Sequence, residues 1–301
     1  MDKILALGIN GFTGKHFQDF IVKNTLLKDF SFVGADQTIE KRIDIDYKKI
    51  DLSCHKDFED IILDAAPDYI INFAGIFSSK SFSELEDINA GIARNMFEII
   101  LRNRLAVKNI LLIGSAAEYG LNSNFPISEE ARLNPVSPYG VSKVIQTVYA
   151  NYYYANFGAN VNIARTFNVV GRYLSPLLSV SSFVEQIRKA RNGDKILVGN
   201  LNTKRDFLDI ADVVNAYWKI LMNGKQGQVY NVCRGKSLCM KDILDFLIEK
   251  SGKKISIEVK KEYLRKNDIL DSYGDNSKLR NDTGWKEEKD IFASLSAMLE
   301  E

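Results

Sequence analysis

Lys3-Ile4-Leu5-Ala6-Leu7-Gly8-Ile9-Asn10-Gly11-Phe12-Thr13-Gly14-Lys15-His16-Phe17 is the stretch on which the fold turns. An apolar run of strand length leads into three glycines, and an amphipathic stretch follows them at once. Glycines at such a junction let backbone N–H groups and a helix N-terminus approach a pyrophosphate. The spacing is G-x-x-G-x-x-G instead of the commoner G-x-G-x-x-G, so the loop alone also suits a ligand-free turn, and its context carries the dinucleotide reading. Asp36 follows the next apolar run, about 20 residues on, where a carboxylate hydrogen-bonds an adenosine ribose. That favours NAD (NADH) over NADP, whose 2′-phosphate would meet like charge, although Lys41 or Arg42 could soften the discrimination. An ordinary turn aspartate is the alternative.

The same alternation continues outward. Strand-length apolar runs at residues 3–9, 30–35, 69–74, 109–114 and 160–166 are separated by helical spacing at 15–23, 58–65, 90–101 and 138–154. This predicts an α/β fold with a doubly wound, parallel Rossmann-type sheet. The second half is less regular, with helices expected at 183–192, 213–223 and 240–250 and strands at 195–199 and 229–233. It reads as a smaller α/β substrate-binding lobe over 166–301, beside a dinucleotide-binding domain over 1–165 to which the chain returns around 205–233.

Composition narrows the function. The chain has 301 residues, 46% of them hydrophobic, enough for a substantial core. Its 40 basic and 39 acidic residues leave a net charge of +1, so no global field draws it to nucleic acid or to an anionic membrane. Cys54, Cys233 and Cys239 lack metal-ligand spacing and are too few to staple the chain. With no signal-peptide pattern at the start and no apolar run of spanning length, a cytoplasmic protein without a metal site is expected. His16 and His55 are the only histidines, and both read as structural or surface residues, so the acid/base group lies elsewhere.

Ser137-Pro138-Tyr139-Gly140-Val141-Ser142-Lys143 supplies it. An N-cap serine and a first-turn proline start a helix, which puts Tyr139 and Lys143 on one face. A protonated lysine there would lower the tyrosine pKa from about 10 toward working pH, and Tyr139 could exchange a proton with a carbonyl or alcohol oxygen. Lys143 can also bond a cofactor ribose. Ser115 ends the apolar run 109–114 on the side where open parallel sheets build their sites, and its hydroxyl could orient the same oxygen. Tyrosine and lysine four apart also arise by chance; the ordered set of loop, Ser115 and capped helix is far more specific.

At these residues the sequence resembles the extended short-chain dehydrogenase/reductases over nearly its whole length. Asp51-Leu52, Asn72 to Gly75, Asn89, Gly114-Ser115 through Tyr119-Gly120, and Tyr139 to Lys143 carry the likeness. Gly199-Asn200-Leu201, Lys204-Arg205-Asp206-Phe207, Tyr230 to Cys233, Arg265 with Asp268, and Gly274 to Leu279 through Gly284-Trp285 are similar to the branch of GDP-mannose 4,6-dehydratases and GDP-4-keto-6-deoxy-mannose reductases. The resemblance implies that Gly8, Asn10, Gly11, Phe12, Thr13, Gly14, Asp36, Asp51, Leu52, Ala74, Gly75, Asn89 and Phe167 hold the dinucleotide together with Tyr139 and Lys143. It implies that Ser115, Ala116, Ala117, Tyr139, Asn168, Arg205 and Arg265 face a nucleotide sugar, one linked to GDP. Arginine's planar donor fork suits a diphosphate, although surface ion pairing is the usual use of an arginine.

Ala117 departs from the dehydratases of this branch, which carry a glutamate there to move the elimination proton; alanine has no titratable group. Asn168 to Arg172 lacks the histidine and proline of the reductase pattern, and Arg265-Lys266 replaces an arginine-proline pair. The expectation is therefore NADH-dependent reduction of a GDP-4-keto-6-deoxy sugar. An NAD-retaining nucleotide-sugar 4-dehydrogenase or epimerase, or a non-catalytic nucleotide-sugar or dinucleotide sensor, stands as the alternative. Tyr152-Tyr153-Tyr154 and Phe157 suggest a homodimer surface as well as ordinary core.

Overall fold

The first strand fixes the layering. In β1 (Asp2–Leu7), Ile4 and Ala6 face one apolar cluster while Leu5 and Leu7 face another, so both sides are enclosed, as a parallel sheet requires. The computed structural model describes residues 1–301 except 52, 53, 80, 265–267 and 301. After β1 come α1 (Phe12–Lys23), β2 (Phe30–Asp36), β3 (Asp46–Lys49), α2 (His55–Ala65), β4 (Tyr69–Asn72), α3 (Phe82–Glu86), a π-turn at Asp87–Gly91, α4 (Ile92–Arg102) and β5 (Asn109–Ser115). Then follow α5 (Pro138–Phe157), β6 (Val161–Thr166), β7 (Asn168–Val170), α6 (Ser179–Lys189), β8 (Lys195–Val198), β9 (Lys204–Asp209), α7 (Ile210–Asn223) and β10 (Val229–Val232). The chain ends with β11 (Ser237–Cys239), α8 (Met240–Ser251), β12 (Ser256–Val259), α9 (Ser277–Thr283) and α10 (Ile291–Glu300).

Seven strands form one sheet in the order β10-β6-β5-β4-β1-β2-β3, every pair parallel. The α/β, doubly wound expectation therefore holds. Phe58 and Ile62 of α2 and Met96, Phe97 and Ile100 of α4 pack with Leu5 and Leu7 on one face. Phe17 and Ile21 of α1 and Val213, Tyr217 and Ile220 of α7 pack with Ile4 and Ala6 on the other. Each such side chain contributes about 1.5–3 kcal/mol on leaving water.

Helix α7 and strand β10 return the later chain to this sheet. Val229–Val232 pairs with Ile163–Thr166, and the Trp218 ring meets Phe17, Phe20 and Phe30 at centroid distances of 6.4, 6.2 and 5.1 Å. The Trp285 indole donates to the Asp212 carbonyl at 3.1 Å, fastening a later segment to α7. A separate three-stranded sheet, β11-β9-β7, and the parallel pair β12-β8 lie beside a third apolar cluster with Phe183, Ile187, Ile243, Leu247 and Leu295.

Several elements escaped the periodicity. Strand β3 buries only Tyr47, and an edge strand of four residues leaves no alternation to read. Strands β7 and β11 have three residues each. Helix α6 begins earlier than expected, and it ends earlier because the chain turns at Ala190 to Asp194, where Gly193 has φ +92° and Arg191 N–H donates to the Asp194 carboxylate. No helix among the described residues is long and apolar enough to cross a membrane.

Candidate active site

The loop between β1 and α1 lies at the point where strand order reverses, the crevice where open α/β sheets bind ligands. Gly8 has φ +73°, and a Cβ on it would stand 2.6 Å from the Ala74 nitrogen, so the first loop and the end of β4 can meet only across a glycine. A Cβ on Gly14 would stand 2.3 Å from the Ile9 carbonyl oxygen. Gly11 is different: exposed, at the N-cap of α1, with no side-chain cap and only the Gly8 carbonyl within reach of a Cβ, at 3.3 Å. A side chain at Gly11 would point where a ligand should approach the first-turn amides, those of Phe12 and Thr13 among them.

Asp36 ends β2 and braces this loop. Its carboxylate accepts from Asn10 N–H at 2.8 Å and Thr38 N–H at 3.4 Å, leaving acceptor capacity for hydroxyl donors. Ile50 N–H donates to the Asp36 carbonyl, which brings Asp51 next to the same turn. Arg42, expected to soften selectivity, is ion-paired to Asp19 at 3.2 Å and Glu40 at 3.5 Å, and Glu40 also holds Lys15 at 2.7 Å. Leu52 lies outside the described residues.

Ser115 ends β5 and starts a short turn, Ala116–Glu118, accepting from Ala117 N–H at 3.2 Å. Its hydroxyl is near enough to Tyr139 to favour the ionised phenol, so strand end and helix start face one another. Their approach needs Gly140, whose Cβ would stand 2.5 Å from the Ala117 carbonyl. Ser137 caps α5 through Gly140 N–H at 3.1 Å, with Pro138 in the first turn.

Lys143 is buried. Its ammonium donates to the Ile113 carbonyl at 2.9 Å and Gln146 Oε1 at 3.1 Å, and the position of a Cβ on Gly75 lies 3.5 Å away. Burial pushes its pKa down to about 8 against the opposing pull of Glu118. Tyr139 is not lowered as the sequence suggested. Burial raises the phenol above its ordinary value, the nearby Ser115 hydroxyl opposes this, and Glu118 adds to it. The physical reason is that the lysine's protons point at Ile113 and Gln146, and burial drives it toward its own neutral form. At neutral pH the phenol carries its proton, ready to give it.

Asn89 sits in the π-turn before α4. Its side-chain amide accepts from Ile76 N–H at 2.9 Å and donates to the Ile76 carbonyl at 2.8 Å and Ser142 Oγ at 3.0 Å. It thereby ties the segment after β4 to α5. Phe167 packs with Tyr119, Ile127 and Cys233 in a small apolar cluster. On the far side, Asn168 donates to the Asp206 carbonyl at 3.3 Å, and Arg205 meets Asp268 at 3.5 Å while Asn200 donates to it at 3.0 Å. Asp206 itself is enclosed by Arg234, Gly235 and Gly274 N–H groups, and burial raises its pKa to about 6. Arg265 lies outside the described residues. Sequence reasoning missed Gly140, Gln146 and the buried partners of Glu118; the Pro138-Tyr139-Gly140 start was the available signal for the first.

A serine, tyrosine and lysine gathered at the carboxyl ends of a doubly wound sheet, facing a glycine loop, mark the extended short-chain dehydrogenase/reductases. Within that class, residues 5–298 match the family model described as GDP-mannose 4,6 dehydratase, and the chain belongs to that family. It is similar to the GDP-6-deoxy-D-mannose reductase of Pseudomonas aeruginosa, 28% identical, with 99% of this chain and 96% of that protein covered. A GDP-6-deoxy-D-talose 4-dehydrogenase of Aggregatibacter actinomycetemcomitans is 27% identical over 99% of this chain and 96% of its own. Among solved structures, RMD from Pseudomonas aeruginosa complexed with NADPH superposes with a TM-score of 0.84 at 26% identity, covering 100% of this chain and 98% of that one. UDP-glucose 4-epimerase from Thermotoga maritima shares the fold, with a TM-score of 0.88 at 21% identity, over 99% and 97% of the two chains.

Proposed function

We propose that the protein reduces a GDP-linked 4-keto-6-deoxy sugar with NADH, and that Tyr139 is the general acid. The carrying observation is the Ser115–Tyr119 turn. Ser115 and Tyr139 face one another, Ala117 offers no titratable group where an elimination would need a base, and Glu118 is fully buried in bonds to Ser115, Thr147 and Arg165. Proton abstraction from a sugar carbon has no agent at this turn; proton donation to a sugar oxygen has one.

The glycine cradle and the open acceptor sites of Asp36 fit a dinucleotide, with Gly8, Asn10, Gly11, Phe12, Thr13, Gly14 and Asp36 holding it, Ala74 and Gly75 near its phosphates and Lys143 at a ribose. Bound there, NADH supplies a hydride. Ser115 and Tyr139 hold the ketone oxygen between them, Tyr139 passes its phenolic proton to that oxygen, and Lys143 orients the ribose. Asn168 and Arg205 face the nucleotide sugar, Arg205 exchanging Asp268 for a phosphate oxygen. Alignment of both reactants removes much of the orientational barrier.

The reverse oxidation uses the same groups, and the likeness to a GDP-6-deoxy-sugar 4-dehydrogenase favours it as the second reading. Cofactor identification after purification, followed by hydride-transfer assays against GDP-, dTDP-, UDP- and CDP-linked keto sugars, decides between them. NADH oxidation with the GDP-linked ketone is expected. Tightly retained NAD without net turnover would transfer the assignment to an epimerase or dehydrogenase. A kcat/KM with NADPH equal to or above that with NADH would refute the role given to Asp36.

A homodimer belongs to the same proposal. Val148, Tyr152, Tyr154 and Phe157 stay exposed on α5, at 56, 51, 40 and 52% of their surface, whereas Tyr153 packs inward against Phe97. Sedimentation should give twice the chain mass, and Tyr152→Arg with Val148→Glu should return it to one.

A further inference from the structure

We propose that Glu118 is a positioning residue of the proton-transfer centre: it clamps the Ser115 turn onto α5 and presents a buried negative charge to Tyr139 and Lys143. This rests on the acid/base reading of those two residues but on none of the sugar chemistry.

Glu118 has no exposed surface, and its two oxygens reach three elements. Oε1 accepts from Ser115 N–H at the end of β5, at 2.8 Å. Oε2 accepts from Thr147 Oγ1 on α5 at 2.7 Å and from Arg165 Nε on β6 at 2.9 Å. Gly114 makes room, since a Cβ there would stand 2.7 Å from Oε1. Behind the carboxylate, Arg165 also donates to the Tyr119 hydroxyl and the Glu129 carbonyl, both at 3.2 Å, and the Tyr119 hydroxyl donates to Asn231 at 2.7 Å. Every oxygen of Glu118 thus has a fixed partner.

Stability alone does not explain this arrangement. A buried ion pair is often replaceable by apolar side chains of equal volume without loss. An apolar pair would not hold the backbone amide of Ser115, nor place a charge beneath the reacting groups. The charged or titratable groups around Glu118 are Arg165 from β6, Tyr139 and Lys143 from α5, Tyr119 from its own turn, and Glu129 from the segment covering β10. Its field reaches Tyr139 and Lys143 and favours the protonated form of each, the form a proton donor and its ammonium partner need.

The test compares Glu118→Gln, which keeps an acceptor for Ser115 N–H, with the double variant Glu118→Gln/Arg165→Gln, which leaves no orphaned ion and carries the test if the single variant does not fold. Thr147→Val keeps the charge and removes one bond. Two quantities are read: the basic limb of the kcat profile in the reducing direction, and the titration of Lys143 by NMR of selectively labelled lysine without substrate. Loss of the negative charge lowers both pKa values, so limb and titration should move down by about one pH unit in Glu118→Gln, and in the same direction by less in the double variant, where the Arg165 charge goes too. In Thr147→Val they should stay. A drop in kcat with limb and titration unmoved would reduce Glu118 to an ordinary core residue and overturn the proposal. The substrate-free titration keeps this outcome separate from any error about the sugar.

Discussion

Tyr139→Phe should lose turnover by about 10²–10⁴-fold, the span a positioned acid contributes, while binding the dinucleotide as before. The substitution deletes one oxygen from the first turn of α5. The ring packing, the Ser137 cap and the Lys143 bonds to Ile113 and Gln146 do not involve that oxygen, so the fold around it stays intact. What disappears is the proton facing Ser115. Because the phenol sits above its ordinary pKa and Lys143 near 8, wild-type reduction should hold steady through neutral pH. It should then fall as pH rises past about 8, when the ammonium discharges. Calorimetric titration with NADH checks the binding half, and steady-state reduction of a keto sugar checks the other. Turnover close to wild type would remove Tyr139 from the chemistry.

Gly14→Ala should have the second large effect, destabilising by about 3 kcal/mol or more, the upper end of what overpacking costs. The new methyl would meet the Ile9 and Gly8 carbonyl oxygens at 2.3 and 2.5 Å. Both belong to the backbone, so α1 itself must lift from the loop, and with it the Gln18 bond to the Ile9 carbonyl at 2.9 Å. Gly11→Ala provides the contrast. Its methyl finds only one carbonyl, at 3.3 Å, so the protein should fold normally and yet bind dinucleotide at least about 10-fold more weakly, the backbone no longer being open to a pyrophosphate. Thermal unfolding and cofactor titration of the two variants separate packing from cradle. Equal cofactor affinity of Gly11→Ala and wild type would deny the loop its role.

Much of this is legible in the sequence. The long buried strands and their crossover helices announce themselves through apolar runs, because a parallel sheet encloses both faces. The order Gly8 to Gly14, Ser115, Tyr139 and Lys143 is readable because each residue sits at a strand end or a helix start with a local signature. Other features depend on partners distant in sequence. Nothing near Glu118 reveals that Arg165 will meet it, and nothing near Asn89 reveals that it will brace Ile76 against Ser142. The tyrosine pKa was misjudged for the same reason: adjacency on a helix face suggested that Lys143 would govern Tyr139, whereas burial, a quantity of the whole fold, outweighs it.

Both tryptophans of the chain are tied to α7, Trp218 within it against the rings of α1 and Trp285 through the Asp212 carbonyl. Neither belongs to the Ser115–Tyr139 group. Intrinsic emission therefore works as a seating gauge for α7, with Trp218 sensing its contact with the cofactor-loop helix and Trp285 its hold on the later chain. A variant can be screened for this before any substrate is in hand: an unchanged spectrum with lost catalysis locates the damage in the chemistry, and a red-shifted one locates it in the docking of the helix.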